Sequence, residues 1–82
     1  MKTLNEMVID RLNYYFGVSH YSQYKLAEVS GVPYPTIKSI MQGRTNGITL
    51  KTIVMLARGF NVDVDEFLSD KFFHYDELDL EN

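Results

Sequence analysis

Apolar residues recur at three- and four-residue steps through most of the chain, the period of helices that turn one face to a core. The first such stripe is Leu4, Met7, Val8, Leu12, Tyr15 and Phe16. Thr3-Leu4-Asn5-Glu6 opens it with a capping-box pattern, in which the threonine hydroxyl accepts from the N3 amide and the glutamate returns to the cap's own amide. A first helix is therefore predicted from Leu4 to just before Gly17, followed by a short polar connection over Gly17 to Tyr21. Ser22 is a suitable N-cap for a second helix from about Gln23 to Ser30, which Gly31 can close in the left-handed conformation.

Val32-Pro33-Tyr34-Pro35 interrupts any continuous helix, because each proline restricts the residue before it and lacks a donor amide. Proline is tolerated in a first turn, so a third helix is predicted from Tyr34 or Pro35 to Gln42, burying Ile37, Ile40 and Met41 and stopping at Gly43. Arg44 to Ile48 reads as a loop. Thr49 can cap a fourth helix whose apolar face is Leu50, Ile53, Val54 and Ala57, with Gly59 as terminator and Phe60 folding back onto the core. Asp63-Val64-Asp65-Glu66 repeats the capping-box pattern, and Val62 with Phe67 has the spacing of a hydrophobic staple, which predicts a short fifth helix to about Ser69. No two-residue alternation of the β kind occurs. The expected fold is all-α, a compact five-helix bundle occupying residues 1–70, followed by an acidic and aromatic tail over residues 71–82.

Length and composition narrow the function classes. A chain of 82 residues closes one small core. Cysteine is absent, which excludes disulfides and thiolate metal sites. The N-terminus carries no basic stretch followed by an apolar run, and no segment approaches the roughly 18 apolar residues of a membrane span, so a cytoplasmic protein with no membrane association is expected. His20 and His74 have no partner at metal-ligand spacing. No Ser-His-Asp order, glycine-rich phosphate loop or paired carboxylates can be placed in a cleft, for which so small a bundle has little room. Neither a cofactor nor enzymatic activity is expected.

The formal net charge of −3 argues at first against a polyanionic partner. Its distribution changes that picture. Residues 22–51 carry Lys25, Lys38, Arg44 and Lys51 against Glu28, a local charge of +3, whereas residues 52–82 set Arg58 and Lys71 against eight acids, a local charge of −6. A basic middle and an acidic end suit a protein with one face directed at a polyanion.

That basic middle coincides with the most informative spacing. Two short helices joined through a glycine-containing turn form the helix-turn-helix arrangement. Ala27 stands where the two helices approach closely, Gly31 allows the turn, and Val32 and Ile37 fill the angle with apolar bulk. The third helix then leaves Tyr34, Pro35, Thr36, Lys38, Ser39 and Gln42 free, a polar and aromatic set with no acid. Such a helix fits the major groove of DNA, where side chains reach base edges and thymine methyls.

Through SQYKLAEVSGVPYPTIKSIMQGR and the later TLKTIVMLARGFNVDVDEFL, the chain resembles the phage repressor and Cro (Xre-type) helix-turn-helix family over about residues 4–69. The resemblance implies a lambda-repressor-like bundle with the motif at helices 2 and 3. It also implies roles by position. Gln23 looks like the residue that grips a phosphate and braces the recognition helix, and Tyr34, Pro35 and Ser39 match base-facing positions. Thr36 is similar in position to a phosphate contact, Lys38 lies on the same exposed side, and Gln42, Arg44, Thr45 and Asn46 match a loop that contacts the DNA backbone. Two prolines stand where the family often has a hydroxyl cap and a polar base reader. Pro35 can offer only apolar contact, leaving base discrimination to Tyr34, Lys38 and Ser39.

The resulting expectation is a transcriptional regulator, a repressor that binds a pseudo-palindromic operator in double-stranded DNA as a homodimer, since one monomer offers few base contacts. Simpler roles stand beside these: Tyr34 packing over the turn as part of the core rim, Gln23 capping the neighbouring helix, and the tail as a solvated terminus, with a dimer contact or docking onto the domain as its alternatives. Net acidity motivates a different class, an antitoxin-like or anti-repressor interaction module that uses the same fold without reading DNA.

Overall fold

The computed structural model describes residues 3–45 and 47–69, which form five helices: α1 (Leu4–Ser19), α2 (Gln23–Ser30), α3 (Tyr34–Met41), α4 (Leu50–Gly59) and α5 (Val64–Phe67). The expected tail over residues 71–82, its boundary with the domain and Asn46 lie outside the described residues. α2 packs against α3 and α4, α4 against α5, and α1 against α3. At the centre, Val8 and Leu12 of α1 meet Leu26 of α2, Ile37 and Ile40 of α3, Leu56 of α4 and Phe67 of α5, all removed from solvent.

Most helix starts follow from local chemistry. The Thr3 hydroxyl accepts from the Glu6 amide at 3.1 Å while the Glu6 carboxylate accepts from the Thr3 amide at 2.9 Å, completing the capping box of α1. Ser22 accepts from the Lys25 amide at 3.0 Å, and Thr49 from the Thr52 amide at 3.2 Å. Each cap satisfies one of the amides that a helix start leaves without an internal acceptor. Asp63 departs from this pattern. It stands at the N-cap of α5 with no side-chain hydrogen bond, so the second capping box does not form, and the helix is a single turn ending at Phe67. Burial of Phe67, not a cap, holds that turn.

Three helix ends refine the expectations. α1 runs through Gly17 to Ser19 and stops at His20, whose φ of 60° is left-handed and whose amide donates to the Phe16 carbonyl at 3.0 Å. Continuation is favoured because Phe16 and Tyr21, on either side of this end, both pack on Phe60. Gly17 is thus an exposed residue of a helix interior, with no heavy atom within 4 Å of where a Cβ would stand. Gly17→Ala is expected to stabilise the domain by about 1 kcal/mol, a rise in Tm of about 4–8 °C. An unchanged or lower Tm on thermal unfolding would contradict a helix running through this position.

α4 ends differently from its sequence pattern. Gly59 is the last helical residue and not the left-handed terminator; that role falls to Asn61 at φ 62°. The amides of Asn61 and Val62 return to the carbonyls of Arg58 and Ala57 at 2.9 and 3.0 Å, the paired bonds of a Schellman turn. The buried face of α4 is also rotated from the one expected. Ile53, Leu56, Ala57 and Gly59 point inward, whereas Leu50 is 64% exposed and Val54 only half-buried.

One charged side chain belongs to the core. Arg11 is 3% exposed, donates through Nε to the Phe67 carbonyl at 3.0 Å, and donates through Nη2 to the Glu66 carbonyl at 2.9 Å and the Tyr15 hydroxyl at 2.8 Å. Its guanidinium also lies over the Tyr15 ring, 4.6 Å from the centroid. Tyr15 in turn stacks on Phe60 and Phe67, and burial raises its phenol pKa above the ordinary value, partly offset by the Arg11 charge. A short fifth helix with no side-chain cap is thereby tied to the first through its own C-terminal carbonyls.

Candidate nucleic-acid interface

The turn between α2 and α3 sets the geometry of the surface. Gly31 takes φ 80° and donates its amide to the Ala27 carbonyl at 3.1 Å, while the Ser30 hydroxyl accepts from the Val32 amide at 3.1 Å. Val32 and Ile37 are buried in the angle between the helices, and Ala27 is half-buried against the same core. Pro33 serves as the N-cap residue of α3, and Pro35 sits in its first turn, where a missing amide costs nothing.

α3 buries Ile37 and Ile40, with Met41 packed beside them. At helical spacing this orients Pro35, Lys38, Ser39 and Gln42, related by steps of three and four, on the opposite side. Pro35, Lys38 and Gln42 are exposed and Ser39 is half-buried. Tyr34 and Thr36 flank this stripe, Thr36 exposed and Tyr34 half-buried. The stripe holds no acid. No ion pair engages Lys38 or Arg44 among the described residues, so both cations stand in solvent. Lys25 on α2 pairs with Glu28 at 3.1 Å; exposed on both sides, that pair is weak and easily exchanged for another anion.

The residues after α3 are held, not loose. Gly43 at φ 73° donates to the Ile40 carbonyl at 3.0 Å, and the Arg44 amide reaches back to the Ser39 carbonyl at 2.9 Å. These are again the two bonds of a Schellman turn, and they fix the Arg44 backbone relative to α3. The Thr45 carbonyl accepts from the Asn5 side-chain amide of α1 at 2.7 Å. Asn5 therefore ties the loop to the body of the domain across forty residues of sequence.

Gln23 is the half-buried first residue of α2, and Ser22 beside it makes the cap. α3 receives no side-chain cap, which removes helix capping as an explanation for Gln23. Tyr34 does pack over the turn, but against an exposed partner instead of the core rim: its ring lies parallel to that of Tyr24 on α2, with centroids 4.0 Å apart and an interplanar angle of 8°. Neither Tyr24 nor Asn5 was among the expected site residues. A helix-turn-helix spacing brings position 24 near position 34, which was a usable signal for Tyr24; nothing local marked Asn5.

A groove of about 600 Å³ opens elsewhere, lined from α1 and from the segment around α5 and by no residue of α2 or α3. It is larger than so small a bundle was expected to hold. It sets Arg11, Tyr14 and Tyr15 against Asp65 and Glu66, with no histidine among its lining residues.

Two short helices joined by a tight turn, the second with an acid-free outer face, make a helix-turn-helix. A helix-turn-helix family model matches residues 19–67, and the chain belongs to that family, of the Xre type that includes phage repressors. It is 30% identical over 66 residues to control protein C.SmaI of Serratia marcescens, covering 80% of this chain and 77% of that protein. No solved structure gives a significant match. The protein is accordingly a DNA-binding transcriptional regulator, in a family of regulators and not of enzymes. No helix among the described residues is long and apolar enough to cross a membrane.

Proposed function

We propose that the protein is a repressor that inserts α3 into the major groove of a pseudo-palindromic operator and binds it as a homodimer in the cytoplasm. The observation that carries this reading is the acid-free stripe Pro35, Lys38, Ser39 and Gln42, which faces outward because Ile37 and Ile40 hold the other side of α3 in the core. Lys38 and Ser39 contact base edges, and Tyr34 with Pro35 contributes apolar contact at the start of the helix. Thr36 and Gln23 take phosphates from either side. Gln42, Arg44, Thr45 and Asn46 follow the sugar-phosphate backbone beyond the end of α3. The two-fold arrangement doubles a contact set too small for specific binding by one monomer, and occupation of a promoter then blocks transcription. The control function in the name of the Serratia marcescens relative agrees with a regulatory role.

Base readers and backbone contacts respond differently to substitution. Lys38→Ala is expected to weaken the preferred site by about tenfold or more while leaving random duplex nearly unchanged, relaxing base preference at one position. Arg44→Ala is expected to weaken all sequences alike and to lower the salt slope of log K by about one unit per monomer. Titration of labelled duplexes at several salt concentrations reads both effects. If both variants bind selected and random DNA as the parent does, α3 and its following loop are not the DNA-binding surface.

A further inference from the structure

Tyr24 is 67% exposed and contributes nothing to the core, yet its ring is held against Tyr34 with the two planes nearly parallel. The turn that sets α2 against α3 brings the two rings within reach, and parallel stacking covers one face of each. The adjacent Tyr34 hydroxyl is the main reason the Tyr24 pKa lies above its ordinary value, with the nearby Lys38 charge acting in the opposite sense. One face of the Tyr34 ring is thus covered, and Lys38 stands one helical turn further along the same flank.

The consequence concerns what the start of α3 can read. The first residues of a recognition helix reach base edges, and here they are Tyr34 and Pro35, adjacent rings of which Pro35 has no amide donor. Hydrogen-bond patterns are poorly read by such a surface. The one apolar feature that ordinary bases present in the major groove is the C5 methyl of thymine.

We propose that Tyr24 is a positioning residue for DNA recognition: by stacking on Tyr34 it fixes that ring beside Pro35 as an apolar surface that selects thymine through its C5 methyl group. This deepens the reading of α3 as the base-reading helix and rests on it. Tyr24 itself touches no base. It acts by denying Tyr34 other orientations, so its loss changes which base is preferred before it changes how tightly DNA in general is held.

The test uses the full chain and the duplex it selects from a random pool, with each thymine replaced in turn by deoxyuridine, which removes only the methyl group. For the parent, one replacement per half-site is expected to weaken binding about threefold to fivefold, the value of one buried methyl group. 5-Methylcytosine at that position is expected to recover part of the loss when cytosine is first put there. Tyr24→Ala should bring the thymine-to-uracil ratio close to one with an unchanged Tm, Tyr34→Ala should do the same, and Tyr24→Phe, which keeps the stacked ring, should restore the parent ratio. A Tyr24→Ala variant that keeps the parent ratio at every thymine overturns the positioning role. A parent insensitive to every uracil replacement overturns methyl recognition while leaving α3 as a reader by other groups. A parent that enriches no duplex overturns the DNA-reading function itself, and this inference with it.

Discussion

Arg11→Ala is expected to lower the stability of the domain by about 3 kcal/mol, a fall in Tm well beyond about 10 °C, because it removes the donors that hold α5 to α1. The guanidinium serves the Phe67 and Glu66 carbonyls and the Tyr15 hydroxyl at 2.8–3.0 Å. Without it, two backbone carbonyls and a buried phenol lose a charge-assisted partner. Arg11→Lys does not repair this, since a single ammonium lacks the planar fork that spans three acceptors. Arg11→Met tests the alternative that the side chain acts only as apolar filler: it preserves volume but leaves the carbonyls without donors, and should lose most of the same stability. Urea unfolding of the three variants measures the effect. A Met variant as stable as the parent would show that packing, and not donation to α5, is what Arg11 contributes.

Gly59→Ala is expected to destabilise by about 2 kcal/mol although alanine is the better helix former. A Cβ at this position would stand 2.7 Å from Cβ and 3.1 Å from Cα of Ser30, and 3.0 Å from Cδ1 of Leu26. Ser30 is held by backbone on the neighbouring helix and cannot rotate away, so α4 and α2 must part, at a cost typical of overpacked cores. The roughly 0.5–1 kcal/mol that glycine normally costs a helix relative to alanine is outweighed here by the close approach that it permits. Because α2 carries Gln23 and Tyr24, a displaced α2 should also weaken DNA binding beyond the loss of stability. Together with the stabilising Gly17→Ala, this variant gives two identical substitutions with opposite signs. Equal signs on thermal unfolding would contradict the packing described for α4 on α2.

The same pair of glycines shows where the sequence was legible. Caps are local, and Thr3, Ser22, Thr49 and Gly31 could be read from their neighbours because each bond spans only a few residues. Gly17 and Gly59 look alike in sequence, yet neither is the left-handed terminator; what separates them is the approach of Ser30 to Gly59, which only the folded chain brings near. Arg11 was hidden by the counting of apolar stripes, since a buried cation breaks the pattern that defines the core. Leu56 was missed and Leu50 overcounted because the rotation of α4 is set by its contact with α2.

The candidate surface divides in the same way. Helical periodicity alone oriented Pro35, Lys38, Ser39 and Gln42 outward once Ile37 and Ile40 were assigned to the core. The stacking of Tyr24 on Tyr34 required the angle of the turn, and the hold of Asn5 on Thr45 required the packing of α1 beside the loop. Net acidity was no guide to this face, where Lys38 and Arg44 stand with no acid on the exposed stripe of α3.

Selection from a random duplex pool at several salt concentrations, followed by footprinting of the winner, tests the DNA-reading role of α3 most directly. Enrichment of a two-fold site with half-sites about one helical turn apart, bound less tightly as salt rises, is the expected result. A pool that yields no enriched sequence even at low salt would contradict it and would favour a protein-interaction module built on the same fold.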